Sequence, residues 1–198
     1  LDPNVSGVLP ICLGKATRIA EFLTGAAKTY EGEVTLGVAT ATEDADGDII
    51  AIQPVDRAIA REEIEAVFRS LTGDIEQTPP MYSAVKVNGK KLYEYARAGI
   101  EVERPTRRVT IYELELLDER EQFAGETVSF RFRVTCSKGT YVRTLAVTIG
   151  ERLGYPAYMS DLIRTASGPF QLTDCVTLEE VERRAADGTA DALLISIE

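Results

Sequence analysis

The chain has 198 residues, a formal charge of −10 and 44% hydrophobic side chains. That length sets a prior of one domain or slightly more, and the composition is that of a soluble globular chain able to build a core. No eighteen-residue apolar run and no basic, apolar leader occur, which argues against a membrane span or secretion and for a cytoplasmic protein. Histidine is absent and no Cys-x-x-Cys pair exists, so a structural zinc site and a His-based triad are excluded. Cys12, Cys136 and Cys175 read as reduced thiols.

The charge is unevenly spread. Residues 1–85 carry −8 and residues 109–198 carry −6, whereas residues 86–108 hold seven basic against three acidic side chains. Phosphate contacts need a local basic surface rather than a basic average, so this island of Lys86, Lys90, Lys91, Arg97, Arg104, Arg107 and Arg108 is the candidate nucleic-acid surface. A solvated surface cluster would look the same from charge alone.

In chain order, Asp2 precedes a proline, which pushes its backbone out of the α region and predicts a loop. Val8 to Leu13 reads as a short buried strand. Lys15 to Thr24 has apolar residues at helical spacing (Ala16, Ile19, Ala20, Leu23), with Gly25 as the stop. Lys28 to Gly37 alternates and predicts a strand with Tyr30, Gly32, Val34 and Leu36 on one face. Glu43 to Asp48 is an acidic turn without the spaced ligands of a calcium loop. Arg61 to Leu71 predicts an amphipathic helix burying Ile64, Val67, Phe68 and Leu71.

After the proline-rich loop at Thr78–Ser83, a strand over Tyr82 to Val87, a turn at Asn88-Gly89 and a helix over Lys90 to Ala98 are expected. Val109 to Leu117 and Thr127 to Cys136 alternate as two antiparallel strands joined by a polar segment. Thr140 to Leu153 predicts a helix with Thr140 as N-cap and Gly154 as C-cap. Ala157 to Thr165 predicts a strand, and Thr177 heads a final helix. Strands and helices mix without regular βαβ alternation. The fold class is therefore α+β, with a mixed, largely antiparallel sheet and flanking helices.

Few residues stand out chemically on their own. Asp2 is a carboxylate on a loop feeding an apolar run, a possible nucleophile but more often a turn residue. Arg143 would fall in the first turn of its helix, able to point back toward a loop carboxylate; otherwise it is a surface ion-pair residue. Tyr30 alone reads more readily as a core-facing strand tyrosine, and Asp44 reads equally as a turn aspartate.

Several ordered motifs carry more. Leu1-Asp2-Pro3-x-x-Ser6-Gly7-Val8-Leu9-Pro10, Lys28-Thr29-Tyr30, Thr42-Glu43-Asp44-Ala45-Asp46-Gly47, Pro79 through Arg97, Cys136-Ser137-Lys138-Gly139-Thr140-Tyr141-Val142-Arg143-Thr144 and Leu162-Ile163-Arg164-Thr165 resemble those of the TruB-type tRNA pseudouridine synthases. The resemblance spans about residues 1–185. It implies the pseudouridine synthase catalytic fold and an isomerase that converts uridine 55 in the TΨC loop of tRNA to pseudouridine on a flipped-out base, without cofactor or metal. By the same resemblance Asp2 is the nucleophile, Tyr30 stacks on the base and is a candidate for proton transfer, and Arg143 pairs with Asp2. Asp44, Tyr141, Leu162, Arg164, Lys86, Lys90, Lys91 and Arg97 contact substrate, Leu162 as a pocket wall.

The implied partner is the tRNA TΨC stem-loop, with no membrane, no obligate protein partner and a monomeric state. The implied domains are a catalytic domain over 1–185, short of its N-terminal segment, and residues 186–198 as the start of, or linker to, an absent PUA-like C-terminal domain. The family's lysine-proline motif and Gly-His-x-Gly-Thr lead-in are missing from the sequence, so weaker tRNA binding or lost activity is expected of this chain alone. Two other readings stay open: an RNA-guided, dyskerin-like subunit, which the wording of the motifs and the lack of a basic tail argue against, and a tRNA-binding or tRNA-folding module without turnover.

Overall fold

The computed structural model of the chain describes Asp2 and residues 4–195. Leu1 and Pro3 of the first motif, and the end of the predicted 186–198 segment, lie outside the described residues. In chain order the strands are β1 (Ser6–Gly7), β2 (Lys28–Leu36), β3 (Val38–Thr40), β4 (Ile49–Ile52), β5 (Ile59–Ala60), β6 (Gly73–Gln77), β7 (Lys86–Val87), β8 (Lys90–Lys91), β9 (Arg107–Leu116), β10 (Gln122–Phe123), β11 (Val128–Cys136), β12 (Ala157–Ser167) and β13 (Phe170–Gln171). The helices are α1 (Ala20–Gly25), α2 (Arg61–Leu71), α3 (Leu92–Arg97), α4 (Val142–Leu153) and α5 (Leu178–Ala186), with short 3₁₀ turns at Gly14–Ile19, Leu172–Asp174 and Ala190–Leu193.

The main sheet has the order β1-β12-β2-β11-β9-β6, with β13 folded back on β12. Only the β1–β12 pairing in it is parallel, so the sheet is mixed and largely antiparallel, as its sequence pattern predicts. Alternation decides which face is dry. Val34 and Leu36 of β2, Phe130, Phe132 and Val134 of β11 and Ile111 of β9 turn inward, against Ile64, Phe68 and Leu71 of α2 and Leu145, Ala146 and Ile149 of α4. Each of these side chains except the small Ala146 contributes about 1.5–3 kcal/mol of transfer free energy. The opposite face is polar: the Arg133 guanidinium bridges Glu31 at 2.8 Å and Glu115 at 3.3 Å across three adjacent strands.

Two close approaches hold the site's scaffold. At Gly150 in α4 a β-carbon would fall 2.3 Å from the Ala157 methyl, so only glycine lets α4 lie this close to the start of β12. Gly7 has φ +122°, and a β-carbon there would sit 2.2 Å from the Arg164 carbonyl oxygen. The edge strand can therefore pair with Ile163 and Arg164 only through a glycine.

Several sequence expectations need correction. Val8 to Leu13 is not a buried strand: pairing ends with the Val8 N–H on the Arg164 carbonyl, and only Val8 is buried. Leu9, Ile11 and Leu13 are exposed among the described residues. Pro10 has no N–H to extend a ladder, and an apolar run carries no mark of which side faces solvent. The helix expected over Lys15 to Thr24 begins as a 3₁₀ turn and becomes α-helical at Ala20. The Tyr82 to Val87 strand shrinks to Lys86–Val87, paired to β8 around Asn88-Gly89, whose positive φ values fit a tight hairpin. The polar segment after β9 hides β10, with Phe123 buried beneath the Arg120 guanidinium.

Thr140 does not cap α4. Its hydroxyl donates to the Ser137 carbonyl at 2.8 Å, and Tyr141 occupies the cap position. There the buried Gln77 side chain accepts from Tyr141 N–H at 2.9 Å and donates to Tyr141 O at 3.1 Å. Gly154 closes the helix in the left-handed conformation, and the Thr177 hydroxyl caps α5 by accepting from Glu180 N–H, both as predicted.

Candidate active site

A loop, two strands and the start of a helix converge on one cleft. The Asp2 loop enters β1, Tyr30 lies on β2, Leu162 on β12, and α4 begins beside them. Asp2, Val5, Tyr30, Thr140, Tyr141, Val142, Arg143 and Leu162 line a cleft of about 200 Å³, several times the ~30 Å³ share of one water in the liquid.

Arg143 organises this cleft. It sits in the first turn of α4, as the glycine-broken Ser137-Lys138-Gly139-Thr140 connection to β11 predicts, and it is buried. Its Nε lies 3.0 Å from Asp2 Oδ2, and its Nη1 lies 3.6 Å from Asp44 Oδ2. Nη1 also donates to the Thr42 carbonyl at 3.0 Å, and Nη2 to the Tyr82 carbonyl at 3.1 Å. The guanidinium is thus fixed on three sides by protein. The Asp2 carboxylate is half exposed on the fourth, toward the cleft.

The turn carrying Asp44 is tied in as well. Asp44 accepts from the Thr42 hydroxyl and from Asp46 N–H, its carbonyl accepts from the Thr40 hydroxyl, and Asn4 donates to Asp46 at 2.7 Å. This last bond joins the Asp2 loop to the Asp44 turn.

Tyr30 and Arg164 face each other beside the cleft. Burial pushes the Tyr30 phenol above its ordinary range, and the neighbouring Arg164 guanidinium works the other way. Arg164 is buried, donates through Nε to the Val8 carbonyl at 2.7 Å, and has no carboxylate within ion-pair distance among the described residues. It also lines a second, larger groove of about 820 Å³ with Lys28, Arg107, Arg108 and Lys138. No acidic side chain lines this groove among the described residues. Burial and then the Arg164 charge push the Lys28 ammonium down, and it spends its donors on carbonyls at the end of α1. The Arg107 guanidinium lies 5.7 Å from the centre of the Tyr141 ring, linking groove and cleft. Cys136, on the same strand end, is buried and its thiol is pushed up to about 11.

The structure therefore brings together Asp2, Tyr30, Arg143, Tyr141 and Leu162, with Asp44 and Arg164 in contact with them. Lys86, Lys90, Lys91 and Arg97 line neither cavity; they sit on the β7–β8 hairpin and α3, where Lys91 and Arg97 each lie 5.4 Å from the Tyr93 ring centre. Thr42, Tyr82 and Gln77 were not legible as site residues, because two act through backbone carbonyls and the third as a remote cap. Lys28 and Lys138 lie inside motifs but outside the basic island, so a count of charge along the chain passes over them.

A family model described as TruB family pseudouridylate synthase (N terminal domain) matches residues 1–142, and one described as tRNA pseudouridylate synthase B C-terminal domain matches residues 143–197. Over its full length the chain is 93% identical to tRNA pseudouridine synthase B of Geobacillus thermodenitrificans, 90% to that of Geobacillus kaustophilus and 68% to that of Bacillus cytotoxicus. It spans 66%, 70% and 64% of those proteins respectively. Among solved structures, a Cbf5-Nop10-Gar1 complex aligns over 98% of this chain and 46% of its own, with 33% identity and a TM-score of 0.67. An H/ACA RNP bound to a substrate RNA containing 2'-deoxyuridine aligns over 98% and 45%, with 28% identity and a TM-score of 0.64. The chain belongs to the TruB family of pseudouridylate synthases.

Proposed function

We propose that this chain carries the catalytic centre of an enzyme that converts uridine to pseudouridine at position 55, in the TΨC loop of tRNA. The observation that carries the reading is the 3.0 Å pairing of a half-exposed Asp2 with a buried Arg143 in a cleft that Tyr30 and Leu162 also line. The reaction breaks the bond between uracil N1 and ribose C1′, forms one between uracil C5 and C1′, and moves the C5 proton away while N1 gains one. Nothing is oxidised or reduced.

Asp2 is the nucleophile that bonds transiently to the nucleotide, and Arg143 orients it. A base must leave its stack to reach such a cleft, and an aromatic face supports the extruded ring. Tyr30 suits that role, since burial favours its neutral phenol at neutral pH. Leu162 walls the base, and Asp44 steadies Arg143 from the side opposite Asp2.

The acid-free groove of Lys28, Arg107, Arg108, Lys138 and Arg164 gives the flanking RNA backbone a cationic track on a chain whose net charge is −10. The basic hairpin and α3, with Lys86, Lys90, Lys91 and Arg97, form a second contact to the folded arm. The catalytic unit spans residues 1–185, and 186–198 lead toward a further RNA-binding domain. The enzyme acts in the cytoplasm as a single chain. The names of the bacterial relatives favour that reading over an RNA-guided subunit, although solved neighbours are partner complexes.

The test is tritium release from tRNA carrying 5-tritiated uridine, with this chain and with a form extended by the segments its longer relatives possess. Release that vanishes in Asp2→Asn while tRNA affinity stays within about threefold supports the assignment. Full turnover by Asp2→Asn would exclude Asp2 as nucleophile. Silence of both unsubstituted forms would leave an RNA-binding module.

A further inference from the structure

Glu43 occupies a conformation that its own residue type disfavours. Its φ is +66°, in the left-handed region that glycine enters freely and other L-residues rarely do. The neighbouring Asp44, Asp46 and Gly47 give the turn its acidic and flexible character without requiring a glutamate here. Something must hold Glu43 in place.

The side chain provides the hold. Its Oε2 accepts from the Thr144 hydroxyl at 2.8 Å, spanning the gap between the Asp44 turn and the first turn of α4. A carboxylate at that point also faces the positive end of the α4 dipole. The backbone of Glu43 is engaged on both sides: its N–H donates to the Thr40 carbonyl at 3.2 Å, and its carbonyl accepts from Met159 N–H at 2.9 Å on β12. One residue therefore ties β12, the acidic turn and α4 together.

The position of the tie matters. Thr144 directly follows Arg143, and Glu43 lies between Thr42 and Asp44, which both contact the Arg143 guanidinium. If the turn and the helix separated, Arg143 would lose the Thr42 carbonyl and Asp44 together, and with them the support opposite Asp2. Burial also pushes the Glu43 carboxyl upward, against the Thr144 bond and the charge of Arg143, as expected of an acid kept in place for geometry rather than for exposed charge.

We infer that Glu43 is a positioning residue for the Asp2–Arg143 pair, acting through its hydrogen bond from Thr144. The inference rests on the proposed uridine isomerisation for its kinetic consequence, and on the structure alone for its geometric one.

The informative substitution is Glu43→Gly, because glycine relieves the backbone while removing the side chain, so the melting temperature should stay within about 4 °C of the parent. Single-turnover tritium release should nonetheless fall by about tenfold or more, with tRNA affinity changed by less than about twofold. Glu43→Gln keeps an acceptor for the Thr144 hydroxyl and should retain the rate within about threefold. Thr144→Val should reproduce the loss, and the Glu43→Gly/Thr144→Val pair should be no slower than the slower single variant.

A measurement independent of turnover accompanies these. The Arg143 Nε–H resonance is expected to be sharp in the parent, to broaden in Glu43→Gly and to stay sharp in Glu43→Gln. An unchanged rate and resonance in Glu43→Gly would overturn the inference, as would a Glu43→Gln variant as slow as Glu43→Gly. An unsubstituted enzyme that releases no tritium would overturn the isomerase reading instead, leaving the resonance to decide whether Glu43 positions Arg143.

Discussion

Asp2 and Arg143 form one ion pair, yet removing either partner should have very different consequences for folding. Arg143 is buried and gives charge-assisted hydrogen bonds to two carbonyls, Thr42 and Tyr82, besides its contacts with Asp2 and Asp44. Two bonds from a charged donor are worth about 1.5–3 kcal/mol each. Breaking a buried pair from one side costs about 3–5 kcal/mol, and we take that range for Arg143→Ala because the terms overlap. The Asp2 side chain is 48% exposed. Solvent screening discounts its share of the pair to about 1 kcal/mol or less, so Asp2→Ala should be nearly neutral for folding. With a urea m-value of about 2–3 kcal/mol/M, Arg143→Ala lowers the denaturation midpoint by roughly 1–2.5 M, and Asp2→Ala by at most about 0.5 M. Both variants should lose tritium release. Equal midpoint shifts would refute the reasoning: they would mean either that Asp2 is as enclosed as Arg143 or that the carbonyl contacts contribute nothing.

Gly7→Ala should lower the melting temperature by about 4–16 °C, from a cost of about 2–4 kcal/mol for an unfavourable φ and a backbone clash at Arg164, and a parent-like melt would place β1 off the sheet edge. Charge reversal at Arg107, Arg108 and Lys138 should weaken tRNA binding and flatten the plot of log affinity against log salt by roughly 0.7–0.9 for each phosphate left without its cation; the same substitutions at Lys90, Lys91 and Arg97 measure the hairpin's share, and an unchanged slope in either set removes that surface from the RNA path. Glu43 is raised above its ordinary 4.5, facing Thr144, Arg143 and Glu151 of α4 and Arg104 from the segment after α3. Its contribution to stability is therefore full below about pH 4.5 and lost as pH rises through its higher folded value. The stability of the parent relative to Glu43→Gln should then decline from pH 4.5 toward neutrality in urea titrations, and a rising difference would reverse the sign assigned to burial.

Elements whose burial follows a period were legible in the sequence. The predicted α2 limits match the observed helix, and β2 and β11 alternate as expected, because one face of each packs against the same core. Val8 to Leu13 failed for the converse reason: with no polar partner in alternation, the run could not show which residues face solvent. For the site, Asp2, Tyr30 and Arg143 became candidates through their motif wording, since each alone has an ordinary structural explanation. The partners that fix Arg143 could not be read at all. A carbonyl acceptor such as Thr42 or Tyr82 has no side-chain signature, and the clamp of Gln77 on Tyr141 joins residues 64 positions apart. Of the groove cations, Arg107 and Arg108 belong to the basic island, but Lys28, Lys138 and Arg164 lie in segments that are acidic overall, so only the fold assembles the set.

The distribution of exposure explains why these partners should be backbone groups. A guanidinium held only by carboxylates would move whenever a carboxylate reacted or was displaced by substrate. Here two of the four anchors are carbonyls fixed by the Asp44 turn and the Tyr82 segment, and they do not depend on the state of Asp2. Asp44 supplies a second charge on the side away from the cleft, so under the proposed mechanism the Arg143 cation would stay partly compensated when Asp2 bonds to a nucleotide. The proposed change of Asp2 from charged partner to covalent ligand would then not release Arg143 into the cleft. Asp44→Asn should accordingly slow the bond-making step more than it weakens RNA binding, visible as a lower single-turnover rate at saturating tRNA. A pure affinity loss would assign Asp44 to the RNA surface.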